Sequence, residues 1–106
     1  GTTGLQVDED IKKGDTLWIL VPDRIASASV EVNIPQGQTA AFKIEYSLNS
    51  PVRIGEKGEG GYWHNPEGLD DTIYREWTHI TVVNNLSAVR VKCIDASDFI
   101  NVCIKG

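Results

Sequence analysis

The chain has little positive charge, few cysteines and no long apolar run. Ten Lys and Arg stand against 15 Asp and Glu, so the net charge is −5 and no nucleic-acid partner is expected, because such binders present a basic face. The most apolar continuous stretch, residues 17–21, is far shorter than the roughly 18 residues of a membrane-spanning helix, so no membrane partner is expected either. Residues 1–4 lack the basic and apolar regions of a signal peptide, so none is visible in this sequence, and earlier removal of one is left open.

The length of 106 residues predicts a single domain over residues 1–106, with residues 1–10 as a candidate N-terminal arm. The two cysteines, Cys93 and Cys103, match no zinc motif in their spacing, and no histidine lies near them in sequence. The strand pattern described below places them on opposite faces of one sheet. We therefore predict two free thiols, which is typical of a reducing compartment.

Alternation of apolar and polar residues is the dominant pattern, and it predicts β-strands. One alternating segment covers residues 27–34, and a second, beginning at Ala40, covers residues 40–48. Turn-forming residues 35–39 lie between them. Direct pairing of the two strands would place Val32 opposite Phe42, whereas a Greek-key connection would send the strands to different sheets.

The C-terminal third predicts a three-stranded meander. One strand is centred near each of Ile80, Val91 and Val102. Asn84-Asn85 is predicted as a two-residue hairpin turn between the first two strands, and residues 95–98 connect the second strand to the third. One register satisfies the apolar faces of all three strands by pairing Ile80 with Val89, Val89 with Ile104 and Val91 with Val102. In this register Cys93 points into the core and Cys103 points outward beside Arg90.

Further strands are predicted near residues 5–7 and over residues 16–21; the latter segment is apolar on both faces and is therefore predicted to be a central strand. A short turn of helix is predicted around residues 69–74. The total of six or seven strands indicates an all-β fold, an antiparallel β-sandwich or jelly roll. The predicted core contains Val32, Phe42, Ile44, Val89, Val91, Val102 and Ile104.

Residues 55–72 form the one irregular stretch, with five glycines and no alternation. A loop of this length is usually functional or disordered. A phosphate-binding loop is not favoured, because Glu56 and Glu59 stand where a phosphate would sit and no helix follows. The acidic residues of the loop lack calcium-loop spacing. No metal and no cofactor are expected.

Catalytic signals are weak. The histidines His64 and His79 are interpreted as surface residues, with a binding role kept open for His64. No serine lies in a nucleophile-elbow pattern, and no cysteine lies beside a histidine in sequence. We therefore predict no catalytic residues and no enzymatic activity.

Aromatic residues in and after the loop give the strongest indication of binding. Exposed Trp and Tyr rings flanked by Asn and Asp would suit a sugar-stacking platform, but a loop tryptophan also often folds back to plug a sandwich, and the plug is favoured. Trp77 is predicted to lie opposite Lys92, and Trp18 to belong to the core. The candidate binding surface consists of Tyr62, Trp63, His64, Asn65 and Trp77.

From Ala40 to the C-terminus, the chain carries Phe42-Lys43-Ile44-Glu45-Tyr46-Ser47, a glycine-rich tryptophan loop, Ala88-Val89-Arg90-Val91 and Ile100-Asn101-Val102-Cys103-Ile104. In these patterns it resembles small β-sandwich auxiliary or decoration proteins of tailed bacteriophages. The resemblance implies a non-enzymatic virion protein that is made in the host cytoplasm and binds the outside of the assembled capsid.

The partners that follow are phage capsid or other virion proteins, and a homo-oligomer, dimer or trimer, is also considered. The alternative interpretation is a carbohydrate-binding module or adhesin-like domain that uses Tyr62, Trp63 and Trp77.

Overall fold

The computed structural model describes residues 6–21, 27–83 and 86–106. In these ranges the chain forms seven strands and one short helix: β1 (Gln6–Lys12), β2 (Thr16–Leu20), β3 (Ser27–Asn33), β4 (Ala40–Ser47), α1 (Pro51–Ile54), β5 (Thr78–Val83), β6 (Ala88–Ala96) and β7 (Phe99–Lys105). Over the same ranges, no helix has the length and apolar character needed to cross a membrane.

The strands form two antiparallel sheets. The four-stranded sheet has the order β1-β7-β3-β5, and the three-stranded sheet has the order β2-β6-β4. β1 pairs with β7 along its whole length, from Gln6 opposite Lys105 to Lys12 opposite Phe99. The inner faces of both sheets contribute to one core. The predicted all-β sandwich of about seven strands is confirmed.

The core contains all seven residues predicted for it. Each is completely buried: Val32, Phe42, Ile44, Val89, Val91, Val102 and Ile104. Alternation along β3 and β7 explains this burial, because every second residue of a strand faces the same side of its sheet. Apolar alternation therefore identified the inner faces of β3, β4, β6 and β7.

The predicted C-terminal meander is wrong. β5 pairs with β3, so that Ile80 lies opposite Val30 and not Val89. β6 lies between β2 and β4, and β7 lies between β1 and β3. Alternation determines which face of a strand is buried, but the faces of several strands match equally well, and the pattern could not select the neighbour. The Asn84-Asn85 turn lies outside the described residues.

β3 and β4 lie in different sheets, so the Greek-key alternative is correct and the direct pairing is wrong. Val32 lies opposite Val102 and Thr78, whereas Phe42 lies opposite Cys93. β2, predicted to be central, is an edge strand of its sheet. It is apolar on both faces because its outward-facing Trp18 packs under the chain that follows α1.

The helix lies earlier than predicted. Residues 69–74 contain a turn, and the helix is α1, where the Ser50 side chain accepts a hydrogen bond from the Arg53 N–H and Pro51 occupies the first turn. A serine followed by proline is a recognised helix start, so the sequence did contain this signal. Of the candidate N-terminal arm, residues 6–10 lie in β1, and residues 1–5 lie outside the described residues.

Both cysteines are free. Cys93 faces the core from β6, as predicted, whereas Cys103 lies on the outer face of the other sheet, between Asp8 and Glu31. The predicted neighbour of Cys103, Arg90, belongs to the three-stranded sheet, so that contact is wrong. The thiols are separated because they belong to different sheets, and not because they occupy opposite faces of one sheet.

Replacing Phe42 with alanine should lower the free energy of unfolding by about 3–5 kcal/mol, because the ring is completely buried and its removal leaves a cavity. Urea denaturation followed by far-UV circular dichroism measures this loss. Val52→Ala is the control: Val52 is 93% exposed, and its truncation should change stability by less than about 0.5 kcal/mol. Equal losses for the two variants would contradict the assigned core.

Candidate functional site

The outer face of the three-stranded sheet carries a buried ion pair. Arg90 on β6 lies opposite Glu45 on β4, and the Arg90 Nε donates a hydrogen bond to the Glu45 Oε1 over 2.9 Å. The two side chains are only 10% and 8% exposed. Glu45 and Arg90 stand at polar positions of alternating strand sequences, which predicts exposure to solvent. That prediction is wrong here because the chain after α1 covers this face.

Arg90 also contacts that covering chain. Its Nη1 donates to the Gly58 carbonyl over 2.9 Å, and its guanidinium carbon lies 4.1 Å from the centre of the Trp63 ring. The Trp63 Nε1 donates to the Gly60 carbonyl over 2.9 Å, which fixes the orientation of the ring. Cation–π contacts strengthen when they are desolvated, as this one is. One side chain therefore holds residues 58–63 against the sheet.

The covering chain fits tightly over β2. Gly58 has a φ of +67° and lies so close to the Trp18 ring that a Cβ at this position would overlap the indole. Only glycine satisfies both the backbone conformation and the space. Ile54, Trp63 and Ala88 form a small second core here, with Trp18 packed against it. Trp18 is half-buried against this second core. The prediction that it belongs to the main core is therefore wrong.

The rest of the loop covers the edge of β4. His64 exchanges two backbone hydrogen bonds of 2.9 Å with Tyr46, and Tyr74 exchanges bonds of 2.9 and 2.8 Å with Phe42. Between these two bridges the buried Asn65 side chain donates to the Ile44 carbonyl over 3.3 Å. The edge of β4 is therefore occupied by residues of its own chain.

A polar network supports this second half of the loop. The Asn65 amide also donates to the Tyr74 hydroxyl over 2.9 Å, and that hydroxyl donates to Glu67 over 2.9 Å. Burial raises the pKa of Tyr74; the bond from Asn65 opposes this shift, and the bond to Glu67 and its charge add to it. Tyr74 therefore remains protonated at neutral pH and keeps both hydrogen bonds.

The five residues of the candidate binding surface do not form one surface. Trp63 is buried, Asn65 is buried, and His64 is half-buried with its Nδ1 3.3 Å from Asp70. Tyr62 is 65% exposed above α1, whereas Trp77 is 57% exposed at the start of β5, in the other sheet. Trp63 folds back onto the outer face of the three-stranded sheet, against Arg90 and Ala88, and does not plug an end of the sandwich. The two tryptophans form no shared stacking platform.

Trp77 does not contact Lys92. Lys92 lies opposite Thr16 and Lys43 in the three-stranded sheet, and Trp77 instead has its ring centre 6.3 Å from that of His79. The predicted contact depended on pairing β5 with β6, which does not occur.

Exposed apolar residues gather at one end of the three-stranded sheet. Leu20 ends β2 and lies in the same row as Ser47, which ends β4 and is followed by the exposed Leu48. The backbone N–H of Tyr62 bonds to the side chain of neighbouring Asn49. We name this surface the apolar end and define it by Leu20, Leu48, Val52 and Tyr62. Single exposed apolar residues are common in folded proteins, whereas contiguous apolar patches are more often interaction sites.

A shallow pocket of about 220 Å³ lies on the outer face of the four-stranded sheet. It is crossed by a row of side chains from four neighbouring strands: Asp8, Cys103, Glu31 and His79. At its side Ser29 Oγ and His79 Nε2 lie 2.8 Å apart. Sequence reasoning missed this pair because the two residues are 50 positions apart and meet only through the pairing of β3 with β5.

The Ser29–His79 pair lacks the setting of a hydrolase nucleophile. β3 is paired on both sides, with β7 and β5, so its backbone N–H groups belong to the sheet and cannot form an oxyanion hole around Ser29. Burial and the negative charges of Asp8 and Glu31 raise the pKa of Cys103, which keeps the thiol protonated and a poor nucleophile. The pocket therefore presents polar groups for contact and no activated nucleophile.

Comparisons of the chain with known protein families, with curated proteins and with solved structures found no match.

Replacing Arg90 with alanine should lower the free energy of unfolding by about 3–5 kcal/mol, because Glu45 would remain buried without its partner. Lys92→Ala is the control two residues along the same face of β6, where the side chain is half-buried and has no buried partner to strand. The double variant Arg90→Met with Glu45→Leu should lose less than Arg90→Ala alone. A loss for Arg90→Ala no larger than that of Lys92→Ala would contradict the role of this pair.

Replacing Asp8 with asparagine should lower the pKa of Cys103, because a neighbouring negative charge that disfavours the thiolate is removed. Alkylation of Cys103 by iodoacetamide at pH 8 should therefore accelerate several-fold, as measured by mass spectrometry. Asp10→Asn is the matched control, since Asp10 lies opposite Asn101 on the same face of β1. Equal alkylation rates in the two variants would refute the assigned cause of the pKa shift.

Thiol titration of the denatured, unreduced chain should count two groups, because both cysteines are free.

Proposed function

We propose that this chain is a non-catalytic structural protein of a tailed-phage virion, which binds the outside of the assembled capsid as a decoration or cementing protein. The pattern-level resemblance of residues 40–106 supports the virion assignment. The apolar end is the single structural observation that supports binding: Leu48, Val52 and Tyr62 are each more than half exposed in a chain of net charge −5. Such residues gain stability when a partner covers them.

The framework under the apolar end suits binding to a repetitive shell. Tyr62 lies in the segment whose Gly58 and Gly60 carbonyls accept hydrogen bonds from Arg90 and Trp63. These bonds order the segment before a partner binds. Pre-ordering reduces the entropy that binding must overcome. A protein that binds the assembled shell and not its free subunits stabilises the shell by mass action. The acidic surface elsewhere keeps the free chain in solution.

A carbohydrate-binding module is the alternative function, and the geometry favours it less. Stacking on a sugar needs an open aromatic face, and the Trp63 ring has the Arg90 guanidinium 4.1 Å from its centre. Tyr62 and Trp77 remain exposed, but Trp77 lies immediately before β5, which belongs to the other sheet. Each could contact a sugar ring only by itself.

Co-sedimentation with assembled heads of tailed phages tests the proposal. Val52→Asp should weaken head binding at least about tenfold, because a carboxylate would be buried in an apolar contact at a cost above about 1.4 kcal/mol. Leu69→Asp is the matched control, since Leu69 is 78% exposed in the turn beyond Asn65 and the change in charge is the same. That variant should bind as the wild type does.

Two outcomes would overturn the proposal. Equal loss of binding in both variants would mean that net charge, and not the apolar end, controls the interaction. Absence of binding to any head, together with micromolar binding on a glycan array that Trp77→Ala abolishes, would establish the carbohydrate-binding function instead.

A further inference from the structure

The four edge strands of the two sheets differ in how their free edges are protected. β1 carries Asp8, Glu9 and Asp10, and charged residues on an edge discourage further pairing. The edge of β4 is covered by its bridges to residues 64 and 74. β2 has five residues and leads into residues 22–26, which lie outside the described ranges. β5 is the remaining edge.

β5 has none of the protective features seen at β1 and β4. Its six residues, Thr-His-Ile-Thr-Val-Val, include no Asp, Glu, Lys, Arg or proline, and its register with β3 is uninterrupted. Five of the six are β-branched, which favours extended pairing. Within the part of the chain that the structure describes, β5 has β3 as its one strand neighbour, so its opposite edge presents a row of backbone donors and acceptors.

We propose that β5 pairs with β5 of a second copy of this chain, antiparallel about a two-fold axis. Centring the axis on Ile80 places Thr78 opposite Val82 of the other copy, both on the inner face. It also places His79 opposite Thr81, both on the outer face. The two four-stranded sheets then join into one sheet of eight strands.

Side-chain chemistry favours the pairing of β5 with β5 over the other pairings that two copies could make. Joining β1 to β1 would place acidic residues opposite one another, and joining β1 to β5 would extend copy after copy without closing. The β5 pairing opposes no formal charges at neutral pH and closes at two copies. Trp77, 57% exposed at the start of β5, lies at each end of the joined strands, where it can be covered.

The predicted dimer is weak. A single six-residue strand edge with one flanking indole buries less than the roughly 800 Å² per partner of a standard interface. Pairing should therefore depend on concentration. The proposal does not rest on capsid binding, because it concerns the four-stranded sheet, whereas the apolar end belongs to the three-stranded sheet.

Sedimentation velocity over a range of concentrations tests the pairing. The wild type should shift from monomer to dimer as its concentration rises. His79→Lys combined with Thr81→Lys should raise the dissociation constant at least about tenfold, because lysines then face lysines across the axis. Glu56→Gln with Glu59→Gln is the matched control: it makes the same +2 change in charge on exposed loop residues and should dimerise at least as well as the wild type.

Hydrogen exchange of the unmodified chain provides a readout that does not depend on a variant folding. Amides on the free edge of β5 should become protected as concentration rises, while those on the outer edge of β1 should not change. A chain that stays monomeric at millimolar concentration, a dimer without added protection in β5, or protection that appears only when phage heads are added would each overturn the proposal.

Discussion

The buried ion pair between Arg90 and Glu45 is the interaction on which the rest of the outer layer depends. Two charges buried this far from water are stable only when the geometry satisfies both. Here the Glu45 carboxylate accepts a hydrogen bond from the Arg90 Nε, and the guanidinium also donates to the Gly58 carbonyl and lies over the Trp63 ring. The pair therefore joins β4, β6 and the long loop at one point. Loss of the Arg90 side chain would remove its contacts to Gly58 and Trp63, and with them part of the support of the second core around Ile54.

This arrangement explains why a long loop remains compact with little regular structure. Its first half is held by Arg90 from below, and its second half completes the edge of β4 through His64, Asn65 and Tyr74. The loop therefore supplies what would otherwise be an additional strand and an additional layer. A sandwich of seven strands gains a covered edge and a second small core from the 30 residues between β4 and β5, which contain one short helix.

Much of the fold could be predicted from alternation, and the limits of that prediction have a physical cause. The period of two correctly assigned Val32, Phe42 and Val102 to the core, because burial of one face requires it. Pairing partners could not be assigned, because strand faces of similar apolar character are interchangeable until the connections are known. The candidate site was predicted less well: an outward-phase Arg and Glu look solvated in sequence, and only the loop folded over them reveals their burial. The presence of an arginine and a glutamate of opposite charge at outward positions of two clearly alternating strands was the one feature of the sequence that pointed to this ion pair.

The pairing of β1 with β7 joins residues near the two ends of the described chain, such as Asp8 and Asn101, which are 93 positions apart. β1 is synthesised before β7, its neighbour in the sheet, and the two strands can pair only after β7 has followed. Closing so long a loop of chain costs more entropy than local pairing, so we expect the pairing of β1 with β7 to form late in folding. Until that pairing forms, the carboxylates of Asp8, Glu9 and Asp10 should disfavour pairing of β1 with strands of other chains.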